Sequence, residues 1–175
     1  PIIDLERVKI PVSATGSDLR VILAKACIPL IDRSLPLLKN ENGIEIDQDE
    51  SQATYCRKLR KIDGSLDFSL SAEELSRRIR AFQSWPGCFF EHLGNRIRVG
   101  DAIPYYPKSL KSGEISRTES GMLIIGTATC TLQINLLQKQ GGKMMSSADF
   151  LRGYEISNGF ILGFVPSHSL LRVSD

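Results

Sequence analysis

The clearest pattern of apolar and polar positions lies between Ser71 and Gly87. Ala72, Leu75, Ile79 and Phe82 recur at helical spacing and form one apolar stripe. Arg77 and Arg80 fall opposite that stripe on the helical wheel, and Arg78 flanks it. Ser71 followed three residues later by Glu74 is a capping box, in which each side chain satisfies a backbone donor that the first turn leaves free. Pro86 then disfavours helical backbone at Trp85, and Gly87 lets the chain turn. A short helix is expected here, docking its stripe and showing arginine to solvent. Trp85 has a ring able to stack on a base, but beside Pro86 and the stripe it is expected in the core.

Downstream the period changes to two. Cys88 to Phe90, Arg96 to Val99, Met122 to Ile125 and Leu132 to Leu136 are strand-like runs. Gly94-Asn95, Gly113, Ser120-Gly121 and the segment 127–129 read as the turns between them. Short strands at regular spacing predict a closed or nearly closed antiparallel barrel. Gly100 is expected at a bulge or barrel corner. A last short helix should begin near Ser146 or Ser147, carry Phe150 and Leu151, and stop at Gly153.

Upstream the pattern is weaker. Val8, Ile10 and Val12 alternate with Lys9 and Pro11, which predicts an edge strand or a strand end. Thr15 to Asp18 can cap a helix with Leu19, Ile22, Leu23, Ala26 and Leu30 on one face, and Pro29 should kink or split it. Pro36, Asn40, Asn42 and Gly43 are expected to close this unit, which is too small to bury a sound core alone. Residues 41–70 are polar without sustained periodicity and read as a linker. Asp63, Asp67, Glu73 and Glu74 read as helix caps and solvated carboxylates.

Composition narrows the class. The chain is 42% apolar and 24% charged, as in ordinary soluble globular proteins. No apolar run approaches the ~20 residues needed to span a bilayer, and no signal peptide is visible. A cytoplasmic location is the expectation. The sequence starts at Pro1 without an initiator Met and is expected to be a piece of a longer protein. Cys27, Cys56, Cys88 and Cys130 form no C-x-x-C pair, so reduced thiols rather than a metal site are expected. Net charge is +2 but unevenly spread: residues 1–50 hold 6 basic and 9 acidic side chains, residues 51–175 hold 16 and 11. Such an asymmetry suits a second half that faces a polyanion.

Several motifs also carry a resemblance. Ile79-Arg80-Ala81-Phe82 with Trp85-Pro86-Gly87 resembles the opening of the C-terminal domain of methionyl-tRNA formyltransferases. Gln48-Asp49-Glu50 and Ala53-Thr54-Tyr55, with Lys58 and Leu59, resemble that family's interdomain linker. Leu136-Leu137-Gln138, Gly141 to Met145 and Ala148-Asp149-Phe150-Leu151 resemble its closing motif. Departures are Arg57 for a usual Pro, Phe68 for a usual Trp, Ser84 for a usual Pro and Gly142 for the first of two basic residues. The resemblance implies a mixed α and β fold: a small OB-like, Greek-key antiparallel barrel opened by a short helix. A strand-helix remnant of an α/β domain and a linker would precede it. The implied domains are 1–46, the end of the catalytic domain; 47–70, the linker; and 71–175, the barrel.

The complete enzyme of that family moves a formyl group from 10-formyltetrahydrofolate to the amino group of methionyl-tRNA. Its Asn, His and Asp lie in the upstream domain, and neither the Asn-x-His pair nor the Asp-x-Gly context is present here. Pro166 to Leu171 resembles the active-site His-x-Ser-Leu-Leu-Pro loop only superficially. No catalytic, folate-binding or metal-binding residue is therefore assigned, and the chain alone is expected to be inactive. Expected partners are the initiator methionyl-tRNA and the upstream catalytic domain.

The candidate RNA contacts are Lys58, Arg60, Lys61, Arg77, Arg80, Arg96, Arg98 and Lys143. The run from Arg57 to Lys61 fits either a solvated connector or a phosphate contact, since Lys and Arg release condensed counterions when they neutralise nucleic acid. Arg77 and Arg80 are helix arginines open to solvent or RNA. Arg96 and Arg98 share the polar face of a strand, and Lys143 lies in a Gly-Gly-Lys-Met-Met loop. Rival readings are the second domain of another folate-dependent formyl enzyme, acting on sugar nucleotides or formyl-folate, and a freestanding nucleic-acid-binding barrel.

Overall fold

A computed structural model describes residues 1–39, 46–106 and 110–172. In chain order its helices and strands are α1 (Gly16–Lys39), β1 (Tyr55–Cys56), α2 (Ala72–Ala81), β2 (Cys88–His92), β3 (Asn95–Tyr105), β4 (Ile115–Arg117), β5 (Leu123–Gly126), β6 (Thr131–Lys139), β7 (Met145–Ser146), α3 (Ser147–Gly153) and β8 (Leu171–Arg172). They fall into two compact units, residues 1–57 with 170–175, and residues 58–169.

The first unit is built on α1. Thr15 and Asp18 cap it reciprocally: Thr15 donates from its amide and hydroxyl to the Asp18 carboxylate, and the Asp18 amide donates back to Thr15 Oγ1. Arg33 ties the helix to the N-terminal segment through Asp4 at 2.6 Å and Glu6 at 2.8 Å. α1 runs through both Pro29 and Pro36 without splitting. Each proline removes one donor, but Lys25 and Asp32, whose carbonyls lose it, are exposed, where water can replace the bond. The alternation around Val8, Ile10 and Val12 forms no strand; Val12 is 93% exposed. A strand needs a ladder partner, and the pairing here is an Ile2–Ile46 bridge instead. α1 continues past Pro36 to Lys39, and Asn40, Asn42 and Gly43, the rest of the expected close, lie outside the described residues. β1 pairs antiparallel with β8.

The second unit holds all the buried core side chains among the described residues. Its sheet has the order β2-β3-β6-β5-β4, with β7 on the β5 side of β6, and every pair is antiparallel. His92 pairs with Asn95, so the β2–β3 turn is the two-residue Leu93-Gly94, both at positive φ. Gly100 is the extra residue of a bulge: Val99 faces Leu137 while Asp101 already faces Leu136. Three devices hold α2 on the sheet. Its capping box is formed, Leu75 and Ile79 are buried, and the Ser76 hydroxyl donates to the Ala102 carbonyl of β3 at 2.8 Å.

No pairing between β2 and β4 closes this sheet among the described residues. Its two edges are covered by irregular chain instead. Leu66 donates its amide to the Phe89 carbonyl on the β2 edge. On the β4 edge, Ile115 donates to Phe160 and Gly159 donates to Ile115. The two covering segments then meet: Phe68 and Phe164 pack edge to face with ring centroids 5.9 Å apart. The Asp67 carboxylate accepts from the Ser69 amide and hydroxyl and, at 2.6 Å, from the Ser167 amide. Asp63 and Asp67 are therefore buried structural acceptors rather than solvated groups.

Burial separates core from cap, and unfolding measurements read the difference. Phe82 is 7% exposed, so Phe82→Ala should cost about 3–5 kcal/mol. Ser71→Ala removes one cap bond and should cost about 1 kcal/mol. A loss below half a kcal/mol for Phe82→Ala, by denaturant titration, would contradict this packing.

Candidate nucleic-acid interface

Lys61 opens a 3-10 turn, Lys61–Gly64, which the Asp63 carboxylate fixes by accepting the Arg60 amide at 2.6 Å. The Asp63 carbonyl in turn accepts from the Arg78 guanidinium at 2.8 Å. Gly64 then meets the backbone of Gly87 so closely that a Cβ on Gly64 would lie 1.9 Å from the Gly87 oxygen. A side chain at Gly64 would force the two loops apart, whereas one at Gly87 would strain a backbone at φ +78° and displace the Arg98 guanidinium. This contact seats the basic turn beside Trp85-Pro86-Gly87. Trp85 is 52% exposed, against the expectation of a core position. The stripe of α2 is filled by Phe82 and Ile79, and the turn at Pro86-Gly87 leaves Trp85 outside it.

Arg98 closes over the same loop. Its guanidinium packs on Gly87 and donates to the Gln83 carbonyl at 2.8 Å. Arg96, two residues back on β3, lies 3.9 Å above the Phe89 ring and pairs with the exposed Glu91 at 3.3 Å. An exposed pair of this kind is weak, so the Glu91 carboxylate is exchangeable for another anion. Lys61, Trp85, Arg96 and Arg98 line one surface depression together with Phe89. Arg96 and Arg98 also line a neighbouring one formed by residues 138–141. The strip thus runs from the 3-10 turn across β3 to the end of β6, and its fixed guanidinium planes suit phosphate oxygens.

The structure brings together only part of the predicted set. Lys61, Arg96 and Arg98 converge, whereas Lys58, Arg60, Arg77, Arg80 and Lys143 line neither depression. Arg80 donates to Ser76 Oγ at 2.9 Å on α2, and Arg77 and Lys143 are exposed. Trp85, Gln138 and Lys139 were not among the predicted contacts. The aromatic beside a basic run was the available signal for Trp85; nothing in the sequence places the end of β6 next to Arg96.

The titratable core groups do not form a reactive site. Burial pushes the Cys88 thiol up to about 12, against the opposing charges of Arg78 and Arg98, so it stays protonated. His92 is 2% exposed, bonds through Nδ1 to the Tyr154 hydroxyl at 3.1 Å, and packs edge to face against Phe160. Burial holds its pKa below the ordinary imidazole value. No cluster of three His, Cys, Asp or Glu side chains with metal-binding geometry occurs among the described residues. No helix there is long and apolar enough to cross a membrane.

A helix docked on a six-stranded antiparallel sheet, with guanidinium groups aligned on one strand, defines a small barrel-like α and β domain. Residues 58–155 match the family described as formyl transferase, C-terminal domain, and the chain belongs to that family. The chain is similar to methionyl-tRNA formyltransferases of Treponema denticola, 35% identical over 85% of this chain and 49% of the relative. The corresponding figures are 39%, 66% and 38% for the Thermus thermophilus relative, and 30%, 93% and 53% for that of Lachnospira eligens. It thus spans about half the length of the curated relatives it matches. Among solved structures, a HypX variant from Aquifex aeolicus shares the fold, with a TM-score of 0.58, 18% identity, and coverage of 79% of this chain and 26% of that one.

His92 gives a pH signature. Its folded pKa is lowered, so the unfolded chain binds the extra proton more readily, and stability should fall as pH drops below about 6.5. Denaturation between pH 7.5 and 5.5 should show that slope in the wild type and a flatter one in His92→Gln. A wild-type stability independent of pH across this window would contradict the buried neutral imidazole.

Proposed function

We propose that this chain is the tRNA-holding C-terminal part of a methionyl-tRNA formyltransferase, a cytoplasmic enzyme of translation initiation. The observation that carries the reading is the convergence of Lys61, Arg96 and Arg98 on one face of a domain of the formyl transferase family. The names of the matched relatives supply the substrate. In this reading the complete protein takes the formyl group from 10-formyltetrahydrofolate. The two histidines do not fit a folate site in this chain: His92 is enclosed by Tyr154 and Phe160, and His168 lies exposed in the C-terminal segment. The donor and the chemistry belong to the upstream domain, and the chain alone transfers no formyl group. That domain also supplies a natural cover for the apolar side chains that α1 leaves exposed, Ile28, Ile31 and Leu35 among them.

Contacts of guanidinium and ammonium groups to phosphate hold an RNA without reading its sequence. Lys58, Arg60, Arg77, Arg80 and Lys143 line neither depression and in this reading add only longer-range attraction for the polyanion. Binding should therefore be strongly salt-dependent and similar for initiator and other tRNAs. Titration of labelled tRNAs at several salt concentrations tests this. Lys61→Ala and Arg96→Ala should each weaken all of them and reduce the salt slope by roughly one unit. Affinity indifferent to salt and to both substitutions would remove the RNA role.

A further inference from the structure

Trp85 is a large aromatic side chain left open to water inside a cationic cluster. The residue is 52% exposed. The loop that carries it is rigidly seated: the Gly87 amide donates to the Phe82 carbonyl at 2.9 Å, and Gly87 is clamped between Gly64 and the Arg98 guanidinium. The residues that share its depression are Lys61, Pro86, Gly87, Phe89, Arg96 and Arg98, with no carboxylate among them. An apolar face ringed by cations matches a ligand with a flat aromatic group and negative charge on both sides of it. A nucleotide in a strand has that layout, and it presents its face only when it is unpaired.

We propose that Trp85 is a stacking platform for one unpaired nucleobase, with Lys61 and the Arg96–Arg98 pair taking the phosphates on either side. This rests on the RNA reading above and adds to it a requirement for a single-stranded segment. Because the loop that carries the ring is seated before binding, little backbone freedom is lost on stacking. Double-stranded RNA has its base faces occupied and engages the cations alone.

The chain has one tryptophan, so its emission reports this ring. A short single-stranded oligoribonucleotide, a blunt RNA duplex and inorganic polyphosphate are titrated separately. The single strand is expected to quench the emission, while duplex and polyphosphate bind with little change. Trp85→Ala should weaken single-strand binding about tenfold or more and leave polyphosphate binding unaltered, and Trp85→Phe should retain most of the affinity. Equal emission changes with all three polyanions would overturn the stacking, as would single-strand affinity unchanged in Trp85→Ala. In either case retained salt-dependent tRNA binding leaves the phosphate reading standing. Failure of every polyanion to bind removes both. The wild-type emission decides even if Trp85→Ala does not fold.

Discussion

A sheet with two unpaired edges has to hide them, and in this domain one buried carboxylate organises that cover. Asp67 accepts hydrogen bonds from Ser69, beside it, and from the amide of Ser167, a hundred residues on. The segment that begins the domain and the one that ends it are thereby fastened to each other. Each lies along a different sheet edge, so the fastening replaces the strand pairing that would complete a barrel. Burial alone raises the Asp67 pKa, but the bonds from Ser69 and Ser167 and the charge of Arg78 outweigh it. The carboxyl accordingly stays ionised to lower pH than a free aspartate, and its contribution to stability is lost as pH falls through that lowered value.

The same cover positions the basic strip. Once residues 63–68 are pinned along β2, Gly64 is driven against Gly87, and the turn that starts at Lys61 has one place to go. Arg98 fills the space above Gly87, and Arg96 follows it at the two-residue period of β3. Packing constraints, rather than direct attraction between the cations and a ligand, thus set the geometry of the strip. Like charges brought together in this way are tolerated because Gln83 and Glu91 each hold one guanidinium.

How much of this was legible in the sequence depended on the range of the interaction. The α2 helix was readable because its cap, stripe and terminator are all local, and Ser71, Glu74, Ile79 and Phe82 behave as their spacing implies. The bulge at Gly100 was readable because glycine interrupts a run of alternation. Phe68 and Leu66, placed in the linker by their polar surroundings, are core residues because β2 and residues 164–167 come to them from elsewhere. Trp85 was read inward from its neighbours in sequence, but the turn at Pro86-Gly87 points the chain outward. The alternation at Val8 to Val12 was real but had no partner strand to use it. Asp63 and Asp67 showed the acceptor chemistry of caps, whereas the long-range bond to Ser167 left no mark in either stretch.

The central claim is that RNA lies across the strip from the Lys61 turn over β3 to the end of β6. Mapping amide chemical-shift changes on the isotopically labelled chain during titration with tRNA tests it most directly. The account predicts changes concentrated in residues 61–64, 85–98 and 138–143, growing weaker as salt is raised. Changes confined to α1 or to residues 159–168, with those three stretches unmoved, would contradict it.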